Sequence, residues 1–313
     1  MPTRVLVTGA GGFIGHHLVT SLKERGYWVR GVDLKLPEYT DVDADEFEVL
    51  DLRRWDANLQ AMVGGIDEVY ALAADMGGMG FISSHHAEIL HNNALINLHT
   101  LEAARQTGVQ RYLYSSSACV YPEYLQTDAD VKPLREEDAY PAQPQDAYGW
   151  EKLITEKLCE YYASDYGMET RIVRFHNIYG PYGTYDGGRE KAPAAMARKV
   201  AMVEDGGEIE IWGDGEQTRS FCHVDDCVEG IYRLMRSDYR QPLNLGTDQI
   251  ITINDLARLV IDISGKRDVR LRQVLGWEPG IDLEQGLQPT YRWIEEMVGA
   301  RSAHGARVPS PAA

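Results

Sequence analysis

A short apolar run, Val5-Leu6-Val7, leads without a break into Thr8-Gly9-Ala10-Gly11-Gly12-Phe13-Ile14-Gly15, and an amphipathic stretch over 16–25 follows, ended by Gly26. A buried strand that turns on glycine straight into a helix fits the opening of a βαβ unit. The rhythm then repeats. Strands are expected at 29–33, 47–52, 68–74 and 112–116, with a long helix over 87–106 carrying apolar Ile89, Leu90, Ile96 and Leu101. A helix over 146–165 and a strand over 171–175 continue the series. This alternation calls for parallel strands covered on both faces, an α/β doubly wound sheet.

Past residue 180 the character changes to a Gly- and Tyr-rich loop (GPYGTYDGGRE), a helix over 192–203, the segment IEIWGDG, a helix over 225–235, the turn NLGTD and a helix over 254–263. The expected organisation is a Rossmann-like domain over 1–180, with later segments crossing back to it, and a smaller C-terminal substrate-binding domain over 181–300. The small, polar residues 301–313 read as a disordered tail. With 31 Lys and Arg against 48 Asp and Glu, the net charge is −17, which repels phosphate backbones and argues against a nucleic-acid partner. An anionic ligand would need a local basic pocket. Cys119, Cys159, Cys222 and Cys227 have neither metal-site spacing nor the look of a disulfide framework, so no metal is expected. The N-terminus runs directly into a strand and no apolar stretch is long enough for a membrane, so the expected location is the cytoplasm.

At the first junction, Gly9, Gly12 and Gly15 allow a tight turn, close backbone approach to a pyrophosphate and close helix–strand packing. The helix start presents free N–H groups, from Phe13 and Ile14 onward, and a dipole that favours an anion. Glycines alone mark any tight turn, but Asp33 ends the second strand near the ~20-residue offset at which an acid meets a ribose 2′-hydroxyl. A carboxylate there repels a 2′-phosphate, which favours NAD over NADP. Asp51 and Leu52 end the third strand, where an adenine contact can fall. Ala73 and Ala74 end the fourth, where small residues let a cofactor approach.

Tyr148 and Lys152 lie four apart on one helix face. A phenol is a poor base near neutrality, at a pKa of ~10, but a nearby ammonium and a positive nicotinamide stabilise its phenolate. Such a Tyr can take a hydroxyl proton while hydride leaves the same carbon. Ser117 and Cys119, two apart at the end of the fifth strand, leave it on one side, at the edge where open α/β sheets bind ligands.

The strings GAGGFIG, SSSACVY, YGWEK and RFHNIYGP together resemble the extended short-chain dehydrogenase/reductases that act on sugar nucleotides. AADMGGMGFI, PQDAYGWEK, HNIYGP, GGREKAPAA and WGDGEQTRSF are similar, more narrowly, to the GDP-mannose 3,5-epimerases. The resemblance implies bound NAD, a GDP-linked sugar substrate and a homodimer. It implies transient oxidation at C4, with Ser117 beside Tyr148 on the reacting hydroxyl. Once C4 is a ketone, the C3 and C5 protons become acidic, and Cys119 can remove them if cationic neighbours lower its pKa. The resemblance gives Lys191 the role of the opposing acid. It further implies Gly77 and Asn177 at the sugar, Lys199 and Gln217 toward the nucleotide, and Arg219 on the diphosphate. Lys199 and Arg219 would form the basic pocket.

One stretch departs from that pattern. After the helix ending near Gly265 a loop similar to G-V-R-G-R-N-S-D is expected, with a further arginine for the diphosphate, whereas SGKRDVR runs straight into LRQVLGWEPG. Either the loop is deleted, or a mobile segment is missing between these two strings; the second is the expectation, because active-site loops order on ligand binding. Other activities compete. An epimerase of a related nucleotide sugar, such as a heptose, would use the same pocket. A GDP-fucose-synthase-like enzyme would need NADPH, against Asp33. A 4,6-dehydratase would want an acid near Cys119, and a plain 4-epimerase would need neither Cys119 nor Lys191. A cofactor-sensing protein could dispense with the Tyr148/Lys152 pair.

Overall fold

The computed structural model describes residues 2–76, 82, 84–126 and 133–273; the expected tail and the other residues after 273 lie outside them. The first half alternates as the sequence pattern requires. It contains β1 (Arg4–Thr8), α1 (Phe13–Glu24), β2 (Trp28–Asp33), β3 (Glu46–Val49), α2 (Trp55–Ala61), β4 (Glu68–Ala71), α3 (His86–Gln106), β5 (Arg111–Ser117), α4 (Ala147–Tyr166) and β6 (Glu169–Phe175). The rest comprises β7 (Ile178–Tyr179), α5 (Ala192–Met202), β8 (Glu208–Ile211), β9 (Thr218–Ser220), β10 (Cys222–His223), α6 (Val224–Arg236), β11 (Leu243–Leu245), β12 (Ile250–Thr252), α7 (Ile253–Ser264) and β13 (Arg270–Gln273).

Seven strands form one parallel sheet in the order β3-β2-β1-β4-β5-β6-β11. Strand alternation splits the core in two. Val5 and Val7 face one side with Leu18, Leu22, Ile231 and Leu234 of α1 and α6. Leu6 faces the other with Leu101, Ala104 and Cys159 of α3 and α4. Apolar residues on both faces explain why the strands read as continuous runs. The strand order reverses between β1 and β4, which opens a crevice at the carboxyl ends of the strands.

Two features depart from the sequence reading. NLGTD was expected as a turn, but Asn244 and Leu245 belong to β11, which pairs parallel with β6 and extends the central sheet. Helix α2 was not foreseen. After residue 180, α6 and β11 return to the first sheet, whereas α5, β8 and α7 build a separate core from Met196, Val200, Ile209, Ile211 and Leu256.

The chain runs continuously from α7 into β13, which pairs with β8 from Arg270 to Gln273. The expectation of a missing mobile segment is therefore corrected: the arginine-bearing loop is absent from the chain itself.

Candidate active site

The β1–α1 junction is built for close approach. Gly9 has φ of +73°, and a Cβ there would sit 2.9 Å from the backbone nitrogen of Ala73; a Cβ at Gly15 would collide with the Gly9 carbonyl. Gly12 caps α1 with no side chain in the way, and the Gly12 N–H donates back to Gly9 at 3.0 Å. The amides of Phe13 and Ile14 in the next turn have no intrahelical acceptor, which leaves them for an anion.

Asp33 ends β2 beside this turn and accepts from the Gly11 N–H at 3.0 Å and the Leu34 N–H at 2.6 Å. Burial pushes its carboxyl up, while those backbone bonds pull it down. Thr8, not singled out from sequence, ties β1 to the end of β4: its hydroxyl accepts from Leu72 and Ala73 at 3.1 and 3.2 Å. Asp51 is held by the Arg53 guanidinium at 2.7 Å and lies below the usual carboxylate range for that reason, and Leu52 is buried. Both fall just after β3, which ends at Val49. A glycine cradle, an acid at the end of β2 and small residues after β4 fit a dinucleotide.

Tyr148 and Lys152 lie in α4, whose N-cap Asp146 accepts from the Gly149 N–H at 2.8 Å. Tyr148 is 6% and Lys152 1% exposed. The Lys152 ammonium donates to the Ser115 carbonyl at 2.8 Å and stands 5.5 Å from the centre of the Tyr148 ring. The Ser117 hydroxyl accepts from the Cys119 N–H at 3.2 Å and is one of the groups that act on Tyr148. Gly149, also missed from sequence, lets the Cys119 carbonyl lie against α4 where a Cβ would overlap it.

Ser117, Cys119, Tyr148 and Lys152 therefore meet at the carboxyl end of β5. Lys191 occupies the N-cap position of α5, and its charge is among those that act on Cys119. Lys191 is solvent-exposed.

Titration in the site differs from the expectation in two respects, at Cys119 and at Tyr148. Burial raises the Cys119 thiol above its ordinary value, with the Asp146 charge adding to it; the Ser117 hydrogen bond and the Lys191 and Lys152 charges pull it down without winning. Desolvation likewise lifts Tyr148 well above an ordinary phenol and lowers Lys152 and Lys191. The expected lowering of Cys119, and that of Tyr148 by the Lys152 ammonium, is thus reversed, because burial outweighs the nearby cations.

The expected substrate contacts are less assembled. Asn177 donates to the Ser220 carbonyl at 3.1 Å, which ties it to β9. The Lys199 ammonium is held by the Glu210 carbonyl at 2.7 Å, and Gln217 reaches the Trp212 carbonyl at 3.4 Å. Arg219 is exposed on β9 and donates to its neighbour Thr218 at 2.7 Å. Lys199 and Arg219, the expected basic pocket, lie on α5 and β9. Gly77 lies outside those residues. A separate cleft of about 730 Å³ opens at the amino-terminal ends of the strands, away from this chemistry; its Arg111 and Arg236 pair with Glu68.

Residues 5–246 match the profile of the NAD dependent epimerase/dehydratase family. The chain belongs to that family. It is 46% identical over 325 aligned residues to GDP-mannose 3,5-epimerase 1 of Oryza sativa subsp. japonica and to GDP-mannose 3,5-epimerase of Arabidopsis thaliana, in each case covering 97% of this chain and 85% of the relative. Since 97% of 313 residues is fewer than 325, the relatives carry positions for which this chain has no residue. Among solved structures, UDP-glucose 4-epimerase of Thermotoga maritima with UDP-glucose superposes with a TM-score of 0.75 at 27% identity, over 95% of this chain and 100% of that one.

Proposed function

We propose that the chain epimerises GDP-mannose at C3 and C5 through a transient ketone at C4. The observation that supports this most is the convergence of Ser117, Cys119, Tyr148 and Lys152 with Lys191 beside a dinucleotide cradle. Gly9, Gly12, Phe13, Ile14 and Gly15 hold the pyrophosphate in this reading, Asp33 the ribose, Asp51 and Leu52 the adenine, and Ala73 the backbone passing β4. NAD held there would supply a reversible hydride acceptor for C4. Tyr148 takes the C4 hydroxyl proton, Ser117 shares that hydrogen bond, and the Lys152 ammonium stabilises the phenolate. Cys119 then removes the acidified C3 and C5 protons, and Lys191 supplies protons from the opposite face. The burial that raises the thiol makes its thiolate a stronger base toward carbon once formed.

Gly77, Asn177, Lys199, Gln217 and Arg219 hold the substrate in this account, with Arg219 suited to a bidentate grip on phosphate. The working division is residues 1–180 plus returning segments for NAD, and 181–300 for substrate. Two supports point to a cytoplasmic homodimer: all four cysteines are free thiols, and α3 and α4 carry exposed Leu90, Leu98, Trp150, Ile154 and Tyr161 along their outer faces. Among the described residues no helix is long and apolar enough to cross a membrane.

The test is incubation with GDP-mannose in deuterated water without added nicotinamide. Deuterium at C3 or C5 is expected; none, with bound cofactor confirmed, rejects the proposal. The deleted loop favours one second reading, a related nucleotide sugar such as a GDP-heptose held with one arginine fewer on its diphosphate. Faster exchange on the heptose than on GDP-mannose would select it.

A further inference from the structure

A buried acid that the proposed chemistry does not use stands beside its central pair. Glu151 is 2% exposed and has no cation in salt-bridge contact among the described residues. Its Oε1 is crowded with donors: Asn97 Nδ2 from α3, the Tyr114 hydroxyl from β5 at 3.3 Å and the Thr155 hydroxyl at 3.2 Å. Its Oε2 is buried with no hydrogen-bond partner. An ionised carboxylate so placed is costly unless some positive charge nearby compensates it. The nearby cation is Lys152, the next residue, whose ammonium sits 4.9 Å from the centre of the same Tyr114 ring.

We infer that Glu151 is a positioning residue for the Tyr148/Lys152 pair: held by Asn97, Tyr114 and Thr155, it is the fixed counter-charge that keeps the buried Lys152 an ammonium against the Ser115 carbonyl. The inference rests on the reading of Tyr148 and Lys152 given above. Other groups that act on Lys152 do not replace Glu151. Glu156, one turn on, is neutralised by Arg174 from β6 at 2.7 Å. The Cys119 and Cys159 thiols are both raised by burial and so uncharged near neutrality. Tyr148 and Tyr114 are phenols lifted well above their ordinary range. Glu151 favours the protonated form of Lys152 and of Tyr148 alike, opposing the burial that discharges the lysine.

The test is Glu151→Gln, which keeps the shape and the Oε1 acceptor and removes the charge. Removing the charge takes away the counter-charge of Lys152, which can discharge rather than stay a stranded ammonium, so the variant should fold with a Tm within a few degrees of wild type. Both limbs of its kcat–pH profile should move to lower pH, by about one unit, with kcat at slightly alkaline pH down about tenfold and KM changed less than about twofold. Glu151→Asp, which keeps the charge, should hold both limbs within about 0.3 unit of wild type. Unmoved limbs in Glu151→Gln, or a larger fall in Tm with a uniformly lower plateau, would make Glu151 merely structural and overturn the inference. Glu151→Met, of similar volume, carries the same test should the glutamine variant not be recovered. Lys152→Met is the control: if it still reduces bound NAD on adding substrate, the reading of the pair has failed, whatever Glu151 does.

Discussion

Gly149 follows Tyr148 in the first turn of α4 and is pressed against the loop that carries Cys119. A Cβ at this position would overlap the Cys119 carbonyl oxygen and lie 2.9 Å from the Pro144 Cβ. Neither neighbour is a flexible side-chain end, so Gly149→Ala has to push α4 and the Cys119 segment apart by about 1 Å, at an overpacking cost of about 1–3 kcal/mol. That shift acts along the line joining Tyr148 to Ser117 and Cys119. A misplacement of about 1 Å at reacting groups typically costs on the order of 100-fold in rate. Gly149→Ala should therefore unfold a few degrees below wild type yet lose on the order of 100-fold in kcat, measured as deuterium uptake into GDP-mannose by mass spectrometry. Affinity for NAD should change less than kcat, because the β1–α1 glycines take no part in this contact. Near-normal turnover in a folded Gly149→Ala protein would refute the claim that this contact sets the spacing of the site.

Arg174→Met strands the buried Glu156 carboxylate and should cost about 3–5 kcal/mol by chemical denaturation, while the double change with Glu156→Gln should recover much of that loss. Cys119→Ser should nearly abolish deuterium exchange at C3 and C5 while substrate still reduces bound NAD. Because burial holds the Cys119 thiol above its ordinary value, wild-type exchange should climb as pH rises through neutrality, and the serine variant should lack that climb. Ile154→Asp, on the exposed apolar face of α4, should convert a dimer to monomers in sedimentation; a variant indistinguishable from wild type would place the interface elsewhere.

The sheet was legible because its strands are apolar on both faces and its first turn is written in glycine. The end of the sheet was not. β11 has three residues with Asn244 in the middle, and only its pairing with β6 makes it a strand. Tyr148 and Lys152 could be found from spacing on one helix, whereas Ser117 ends β5 and Cys119 follows it in a short 3-10 turn, so strand alternation does not account for their meeting. Glu151 could not, because its partner Asn97 lies 54 residues away on α3 and nothing local marks the contact. The sign of the Cys119 shift was lost for a related reason. Sequence shows which cations are candidates, but desolvation depends on how the whole pocket closes. Arg174 and Glu156 show the same limit, a buried pair formed by residues from β6 and α4.

The central claim is that oxidation at C4 is temporary and that hydride returns to the carbon it left. GDP-mannose carrying deuterium at C4 tests this directly. After many turnovers in ordinary water, the epimerised product should retain the C4 label in full, with solvent hydrogen at C3 or C5 and no reduced nicotinamide released. Loss of the C4 label to solvent, or epimerisation that proceeds with the bound cofactor removed, would contradict it.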